Sequence, residues 1–164
     1  MRTGGSVLLV IAGLVAVLCM AYQFAQFRWY LGALPAQIEV DGVVAIADSG
    51  GIREGCGAAV FALSRGMLDR LQDRGMAALM DARQGRARSG THGAFGAWQE
   101  AAPAGRGGAM DLHLSGMDCG GLDEALQQRI ITAVAQPGAY VATAQESSLI
   151  VIPSLQIVVL SFIG

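Results

Sequence analysis

The chain has 164 residues and a net charge of −2, with 11 basic residues that are all arginine. A nucleic-acid surface requires a concentrated basic patch, and this chain has only the short cluster at residues 83–88, so the composition predicts no nucleic-acid partner. Hydrophobic residues make up 53% of the chain and charged residues 15%, which indicates a membrane segment together with one well-buried domain.

The first element is an uncharged, mostly apolar run over residues 5–27. About 20 such residues in a helix span the roughly 30 Å hydrocarbon core of a bilayer, so this run predicts a transmembrane helix. It follows a cytoplasmic stub at residues 1–6 and precedes a linker at residues 28–36. Two alternatives remain open, a cleaved signal peptide and a buried core helix, although the run exceeds a usual signal sequence and lacks a clean cleavage site.

The charges that flank this segment favour one orientation by a narrow margin. Arg2 and the α-amino group lie before the segment and Arg28 lies after it, so the positive charge is almost balanced. The short N-terminal stub favours a cytoplasmic N-terminus. We therefore predict a single-pass protein of the bacterial inner membrane, with the lipid bilayer as a partner and the domain in the periplasm.

Residues 37–164 are predicted to form one soluble domain, since this length suffices for one core but not for two. Residues 37–47 are rich in β-branched side chains and predict a buried strand. Residues 53–82 repeat apolar side chains at spacings of three and four, which predicts one or two helices. Residues 83–108 are rich in glycine and poor in large apolar side chains, which predicts a loop, either mobile or acting as a lid.

The second half of the domain contains further predicted strands and one helix. Residues 109–115 alternate between apolar and polar side chains, as a half-buried strand does. Residues 122–136 repeat an apolar side chain every four positions and predict a helix, and residues 139–145 predict another strand. Residues 149–163 are apolar around Pro153 and predict a strand broken in two, with a second membrane segment as the alternative.

The predicted element order, β-α-β-α-β-β, defines the expected fold class. Strands that alternate with helices pair in parallel and are joined by right-handed crossovers. The sequence therefore predicts an α/β protein, in which a single N-terminal transmembrane helix precedes one small, Rossmann-like α/β sandwich domain.

The end of the first predicted strand carries the main candidate ligand site. In a parallel α/β sheet, a turn from a strand into a helix lies at the edge where ligands bind, and free N–H groups at the helix start suit an anion such as phosphate. The alternative is a tight turn that binds nothing, and the spacing matches neither of the common nucleotide-binding glycine motifs. The candidate residues for an anion or nucleotide-like ligand are Asp48, Ser49, Gly50, Gly51 and Arg53.

Two of the three cysteines are predicted to form a disulfide. Cys56 and Cys119 each follow a predicted strand, and in a parallel sheet both positions fall at the same edge. A periplasmic domain permits such a bridge. The alternatives are unpaired buried thiols and a reactive or metal-binding thiol. We predict no metal site and no cofactor.

The chain also resembles the SanA/YdcF-like membrane-anchored envelope proteins. The likeness rests on the single span and linker, on DGVVAI at residues 41–46, on GGIREG at residues 50–55 and on SLIVIPS at residues 148–154. Proteins of this family begin with a hydrophobic strand that ends in a glycine pair and leads into an Arg-containing helix start. The resemblance implies a Rossmann-like domain tied to envelope maintenance. The family's later polar motif with His and Arg is absent from residues 155–164.

These observations lead to two hypotheses about function. The first is a non-enzymatic envelope protein whose outer domain maintains the envelope or assembles a complex with a membrane or envelope protein partner. It is favoured because catalytic arrangements are scarce: Asp111, His113 and Ser115 alternate along a predicted strand, too far apart for a catalytic relay. The second is a membrane-anchored enzyme or small-ligand binder that uses the turn at residues 48–53.

Overall fold

The computed structural model describes residues 3–50, 55–87, 94–101 and 109–163. The chain divides into two compact units, Met1–Leu31 and Gly32–Gly164. The first unit is helical, and the second contains the strands.

Helix α1 extends over Thr3–Ala33, so the helix predicted at residues 5–27 is present and continues further towards Pro35. Its segment Ile11–Ala33 is long and apolar enough to cross a membrane, and none of the apolar window in it is buried within the protein. Large apolar side chains such as Leu14 are more than half exposed, at 62%. A bilayer solvates such a surface, whereas water does not.

The domain begins with an antiparallel hairpin rather than with the predicted strand and helix. Strand β1 spans Val40–Asp48 and strand β2 spans Cys56–Leu63, with Val43 opposite Phe61. The prediction of a helix was wrong for residues 56–63, because all but one of these residues are buried. A fully buried segment has no polar side, so its apolar spacing cannot distinguish a strand from a helix.

A helix does follow β2. Helix α2 runs over Arg65–Arg74 and is capped by Ser64, whose Oγ accepts a hydrogen bond from the Met67 amide at 3.1 Å. It ends at Gly75, whose φ of 54° lies in the left-handed region that glycine tolerates. A short 3-10 turn over Gly75–Ala78 continues from it.

The glycine-rich stretch at residues 83–108 is described only in part. Its described part buries two aromatic side chains, Phe95 and Trp98. The Trp98 indole donates a hydrogen bond to the Ala82 carbonyl at 2.9 Å, which anchors the stretch to the end of the preceding segment. It also contains the two-residue strand β3, Gln99–Glu100.

Helix α3 occupies Ala109–Gly120, where alternation had predicted a strand. That prediction was wrong because the alternation covers only a short run. Leu114 and Met117, which are three positions apart, both pack into the core, and that spacing belongs to a helix.

Helix α4 runs over Glu124–Val134, within the helix predicted at residues 122–136. Asp123 caps its N-terminus, where the carboxylate accepts a hydrogen bond from the Leu126 amide at 3.0 Å. Ile130 and Val134 bury the apolar side that predicted this helix.

The last three strands form a meander. They are β4 at Tyr140–Thr143, β5 at Ser147–Ile152 and β6 at Ile157–Ile163, and consecutive strands pair antiparallel. A 3-10 turn over Pro153–Leu155 separates β5 from β6. The predicted strand broken at Pro153 is therefore present as a hairpin within the sheet.

The six strands form one sheet in the order β1-β2-β6-β5-β4-β3, and each pair of described neighbours is antiparallel. The mixed α/β class with one N-terminal apolar helix is confirmed. The parallel, Rossmann-like topology is not supported. Because β2 takes the place of the first predicted helix, there is no helical crossover to make β1 and β2 parallel, and a short connection joins antiparallel strands.

The central strands β2, β6 and β5 are buried on both faces over most of their length. One face carries an apolar cluster in which Met117 of α3 and Ile130 of α4 pack with strand residues such as Val60 and Ile150. Alternate residues of the same strands, such as Phe61, lie outside this cluster and are also fully buried. Because successive residues of a strand point to opposite faces, burial of both sets requires a covering layer on each side.

Candidate functional site

The structure brings the predicted ligand segment and the predicted disulfide to the same end of the sheet. Asp48 is the last residue of β1, and Ser49 and Gly50 follow it, all three exposed. The Ser49 amide donates a hydrogen bond to the Cys56 carbonyl at 3.0 Å, which continues the contact between β1 and β2. Gly51 and Arg53 lie outside the described residues.

The helix start expected beside Asp48 is not there in the described residues. The predicted anion site depended on free N–H groups at a helix N-terminus. Instead, Asp48 pairs with Gly57 of β2 in an antiparallel ladder. Binding of an anion or nucleotide-like ligand at residues 48–53 loses this physical basis and stays a prediction.

Cys56 and Cys119 form a disulfide, as predicted, with their Cα atoms 5.9 Å apart. Its two ends lie in different environments, since Cys56 is only 6% exposed whereas Cys119, near the end of α3, is exposed. The bridge joins a strand to a helix packed on it, not two strand ends of a parallel sheet. It spans a sequence separation of 63 residues, which corresponds to about 4 kcal/mol of stabilisation in the chain-entropy model.

Ser49 contacts both sulfur atoms of this disulfide. Its Oγ lies 2.9 Å from the Cys56 Sγ and 3.5 Å from the Cys119 Sγ. Disulfide sulfurs carry no hydrogen, so the Ser49 hydroxyl is the donor in these contacts. Sequence reasoning selected Ser49 for an anion and missed this role, because no spacing pattern connects Ser49 with a cysteine 70 positions away.

Three glycines allow α3 to lie directly against the strands. A Cβ on Gly120 would come within 2.5 Å of the Ala47 carbonyl oxygen and 2.9 Å of the Gly57 Cα. A Cβ on Gly116 would come within 2.6 Å of the Gly57 carbonyl oxygen. Side-chain carbons do not approach other atoms so closely, so only glycine permits this backbone-to-backbone contact. The contact holds the last turn of α3 over the start of β2.

A cavity of about 160 Å³ opens at this end of the sheet, between the β4–β5 turn and the end of β6. Ile163, which lines it, is the strand partner of Cys56. The lining includes three buried serines, and the hydroxyls of two of them, Ser147 and Ser161, have no hydrogen-bond partner in the described part of the chain. An unsatisfied buried hydroxyl costs roughly 1–3 kcal/mol, and both oxygens are buried away from solvent, so they lower the stability of this end of the sheet.

Arg86 is a partly buried cation with a structural role. Its guanidinium donates a hydrogen bond to the Ile38 carbonyl at 2.7 Å, and its amide donates to the Leu34 carbonyl at 3.0 Å. Burial lowers the pKa of Arg86, and the nearby Glu39 carboxylate partly offsets this effect. Arg86 therefore ties its own loop to the segment that enters β1.

The chemistry available at this end of the sheet is that of a disulfide, hydroxyl groups, exposed carboxylates such as Asp48 and exposed backbone. Within the described ranges, no group of three or more His, Cys, Asp or Glu side chains is placed to hold a metal ion. Comparison of the chain with protein-family models, with curated proteins and with solved structures gives no match.

Proposed function

We propose that this protein is a single-pass protein of the bacterial inner membrane, with a cytoplasmic N-terminus and a periplasmic α/β domain. In this proposal the domain acts without catalysis, in envelope maintenance or in the assembly of a membrane complex. The apolar helix α1 and the Cys56–Cys119 disulfide support the placement. The disulfide is the observation that carries the proposal, because the bacterial cytoplasm keeps such thiols reduced whereas the periplasm oxidises them.

The edge of the sheet supports a role in binding another protein. Strand β1 ends the strand order, and its Val43 and Val44 side chains are 45% and 51% exposed. An apolar edge strand can accept a strand from a partner. The register shifts at Val40/Gly42 and Val43/Ala45 interrupt this edge, so a partner strand would pair with only part of it. In the proposed assembly role that partner is a membrane or envelope protein.

The resemblance to SanA/YdcF-like envelope proteins supports the envelope part of the proposal. It rests on the span, the linker and the segments at residues 41–46, 50–55 and 148–154. It contributes no argument from fold, since the sheet is antiparallel where the resemblance implies a Rossmann-like domain.

Thiol labelling in intact cells tests the placement. A Cys19→Ser chain, in which Cys56 and Cys119 remain, is treated with a membrane-impermeant maleimide before and after an impermeant reductant. We expect no labelling before reduction and two labels per chain after it. A chain that also lacks Cys56 and Cys119 is the matched control. Labelling that needs a permeabilised membrane but no reductant would place the domain in the cytoplasm and contradict the proposal.

Crosslinking in cells tests the assembly role. A photoreactive residue is placed at Val44, and at Met80 as a control, since Met80 is 63% exposed and lies outside the sheet. We expect a discrete crosslinked protein from Val44 and none from Met80. The same products from both positions would mean that the β1 edge has no selective partner.

Membrane-anchored ligand binding, with or without catalysis, is the second candidate function. The observation that favours it is the cavity of about 160 Å³ between the β4–β5 turn and the end of β6. A ligand that binds there raises the melting temperature of the full-length protein in detergent, and the Glu146→Ala variant, which removes an exposed polar side chain of the lining, loses that rise. If no compound in a panel of small polar molecules raises the melting temperature, this candidate loses its support.

A further inference from the structure

The disulfide has a polar neighbour and an asymmetry that a passive cross-link does not need. We propose that Cys56–Cys119 is an exchange-active disulfide: a thiolate attacks the exposed Cys119 sulfur, and Cys56 leaves as a thiolate stabilised by the Ser49 hydroxyl. The proposal requires the disulfide but no particular side of the membrane, so it goes beyond the proposed function. A different site of attack or an unchanged rate in Ser49→Ala would overturn it and leave the cellular labelling result, which needs only eventual reduction, unchanged.

The exchange is balanced as follows. The attacking thiolate forms a bond to the Cys119 Sγ while the bond between the two cysteine sulfurs breaks. The electron pair of the broken bond stays on the Cys56 Sγ. A second thiolate then attacks the mixed disulfide at the sulfur of the first reagent and releases Cys119 as a thiolate. Two reagent thiols are thereby oxidised to one disulfide, the protein disulfide is reduced to two cysteines, and the two protons from the reagent pass to them.

Exposure decides which sulfur is attacked. Cys119 is an exposed residue in the C-terminal turn of α3, whereas Cys56 is only 6% exposed at the start of β2. An incoming thiol must reach a sulfur from the side opposite the leaving group. Access therefore favours attack at Cys119 and departure of Cys56.

Ser49 is placed to assist that departure. Its Oγ lies 2.9 Å from the Cys56 Sγ, closer than the 3.5 Å to the Cys119 Sγ. A hydroxyl that donates to a thiolate stabilises the charged form, and a leaving group of lower pKa leaves faster. Asp48 and Asp118, which adjoin Ser49 and Cys119 in the chain, carry negative charge that does not assist this departure, so the proposal relies on the Ser49 hydroxyl.

The fold keeps the two cysteines together after the bond opens. Helix α3 packs on the sheet through its own apolar residue Met117, which is fully buried, and through the close contacts of Gly116 and Gly120. These contacts do not involve the sulfurs. The reduced cysteines thus stay near their 5.9 Å Cα separation, from which the bond can form again.

The test measures where and how fast a thiol reacts with the oxidised full-length protein in mild detergent. Glutathione serves as the small monothiol and reduced thioredoxin as the protein dithiol. Products are trapped by acid, capped with a maleimide and located by peptide mass spectrometry. We expect the mixed disulfide on Cys119 and the free thiol on Cys56. Reaction with glutathione alone identifies a small thiol as the reductant class, and faster reaction with thioredoxin identifies a protein dithiol.

Three variants test whether the Ser49 hydroxyl, and not only the accessibility of Cys119, sets the rate of reaction. We expect Ser49→Ala to slow opening about tenfold, which corresponds to the loss of one hydrogen bond to a charged group, and Ser49→Thr to restore most of the rate. Ser154→Ala, in the exposed turn between β5 and β6, is the matched control and should react as the wild type does. Melting temperatures of all variants show whether a slow rate reflects exchange or misfolding.

Several outcomes would overturn the proposal. They are a mixed disulfide on Cys56, equal reaction at both sulfurs, an unchanged rate in Ser49→Ala, and no reaction with either thiol unless denaturant is added. The position of the mixed disulfide in the wild-type protein decides the matter even if Ser49→Ala does not fold.

Discussion

Gly120 of α3 lies so close to Ala47 of β1 that a Cβ on the glycine would come within 2.5 Å of the Ala47 carbonyl oxygen. Helix and strand therefore meet backbone to backbone. This contact places the end of α3 over the start of β2, where the disulfide forms. The geometry of the candidate site thus depends on a residue that carries no side chain.

Substitution of Gly120 by alanine should weaken this contact. The added Cβ must displace backbone atoms rather than a flexible side chain, so we expect Gly120→Ala to lower the free energy of unfolding by about 1–3 kcal/mol. Thermal unfolding of the full-length protein in detergent measures the change. The control is Gly42→Ala in β1, where a Cβ meets nothing within 4 Å. Equal stability of the two variants would mean that the helix shifts away from the sheet without cost.

Removal of the disulfide should destabilise the domain. The chain-entropy model predicts a loss of about 4 kcal/mol for Cys56→Ala/Cys119→Ala, given the separation of 63 residues. Denaturant unfolding checks this, with Cys19→Ser as the control because Cys19 is a free cysteine in α1. A double variant as stable as the control would show that packing of α3 alone holds this end of the sheet.

Loss of the cap on α4 should have a smaller effect. The Asp123 carboxylate accepts a hydrogen bond from the Leu126 amide at 3.0 Å, and Asp123→Ala leaves that amide unpaired. We expect a loss of about 1 kcal/mol in thermal unfolding. Gln128→Ala, at an exposed position of the same helix, should change stability by less than about 0.5 kcal/mol. If the two variants have the same melting temperature, the stability of the domain does not depend on the cap of α4.

Replacement of Ser161 by alanine should not lower the stability of the domain, unlike the substitutions above. Its buried Oγ has no hydrogen-bond partner among the described residues, so Ser161→Ala removes an unsatisfied polar group and keeps the small volume beside Gly116. We expect unchanged or higher stability, by up to about 1 kcal/mol. Ser64→Ala is the contrast, since the Ser64 Oγ caps α2 and its loss should destabilise. A clear loss in Ser161→Ala would show that the packing of this oxygen against α3 outweighs its missing hydrogen bond.

Elements with a strong local pattern were predictable. The apolar run in α1 and the apolar side chain at every fourth position in α4 are local patterns. Each predicts a helix without reference to the rest of the fold. The break at Pro153 was predictable too, because proline interrupts a strand. The antiparallel pairing of its two halves was not predicted. The pairing of Cys56 with Cys119 was also predicted, but from a parallel sheet that the structure does not have. The two cysteines meet because α3 packs on β2.

Elements without such a pattern were not predictable. Residues 56–63 are apolar throughout, and residues 109–115 alternate over too short a run, so each was assigned to the wrong class of element. In both cases neighbouring strands and helices decide the outcome. Residues 56–63 form β2 where a helix was predicted. Without that helix there is no crossover after β1, and β1 and β2 pair antiparallel.

The sequence by itself determined that this protein has an apolar N-terminal helix, one mixed α/β domain and two cysteines suited to a bridge. These features follow from composition and local periodicity, which need no partner elsewhere in the chain. Only the tertiary structure decided the strand order and the contact of Ser49 with both sulfurs. It also decided the exposure of Cys119 against the burial of Cys56. Those features arise between residues far apart in the chain, where close packing selects one arrangement and no local pattern records it.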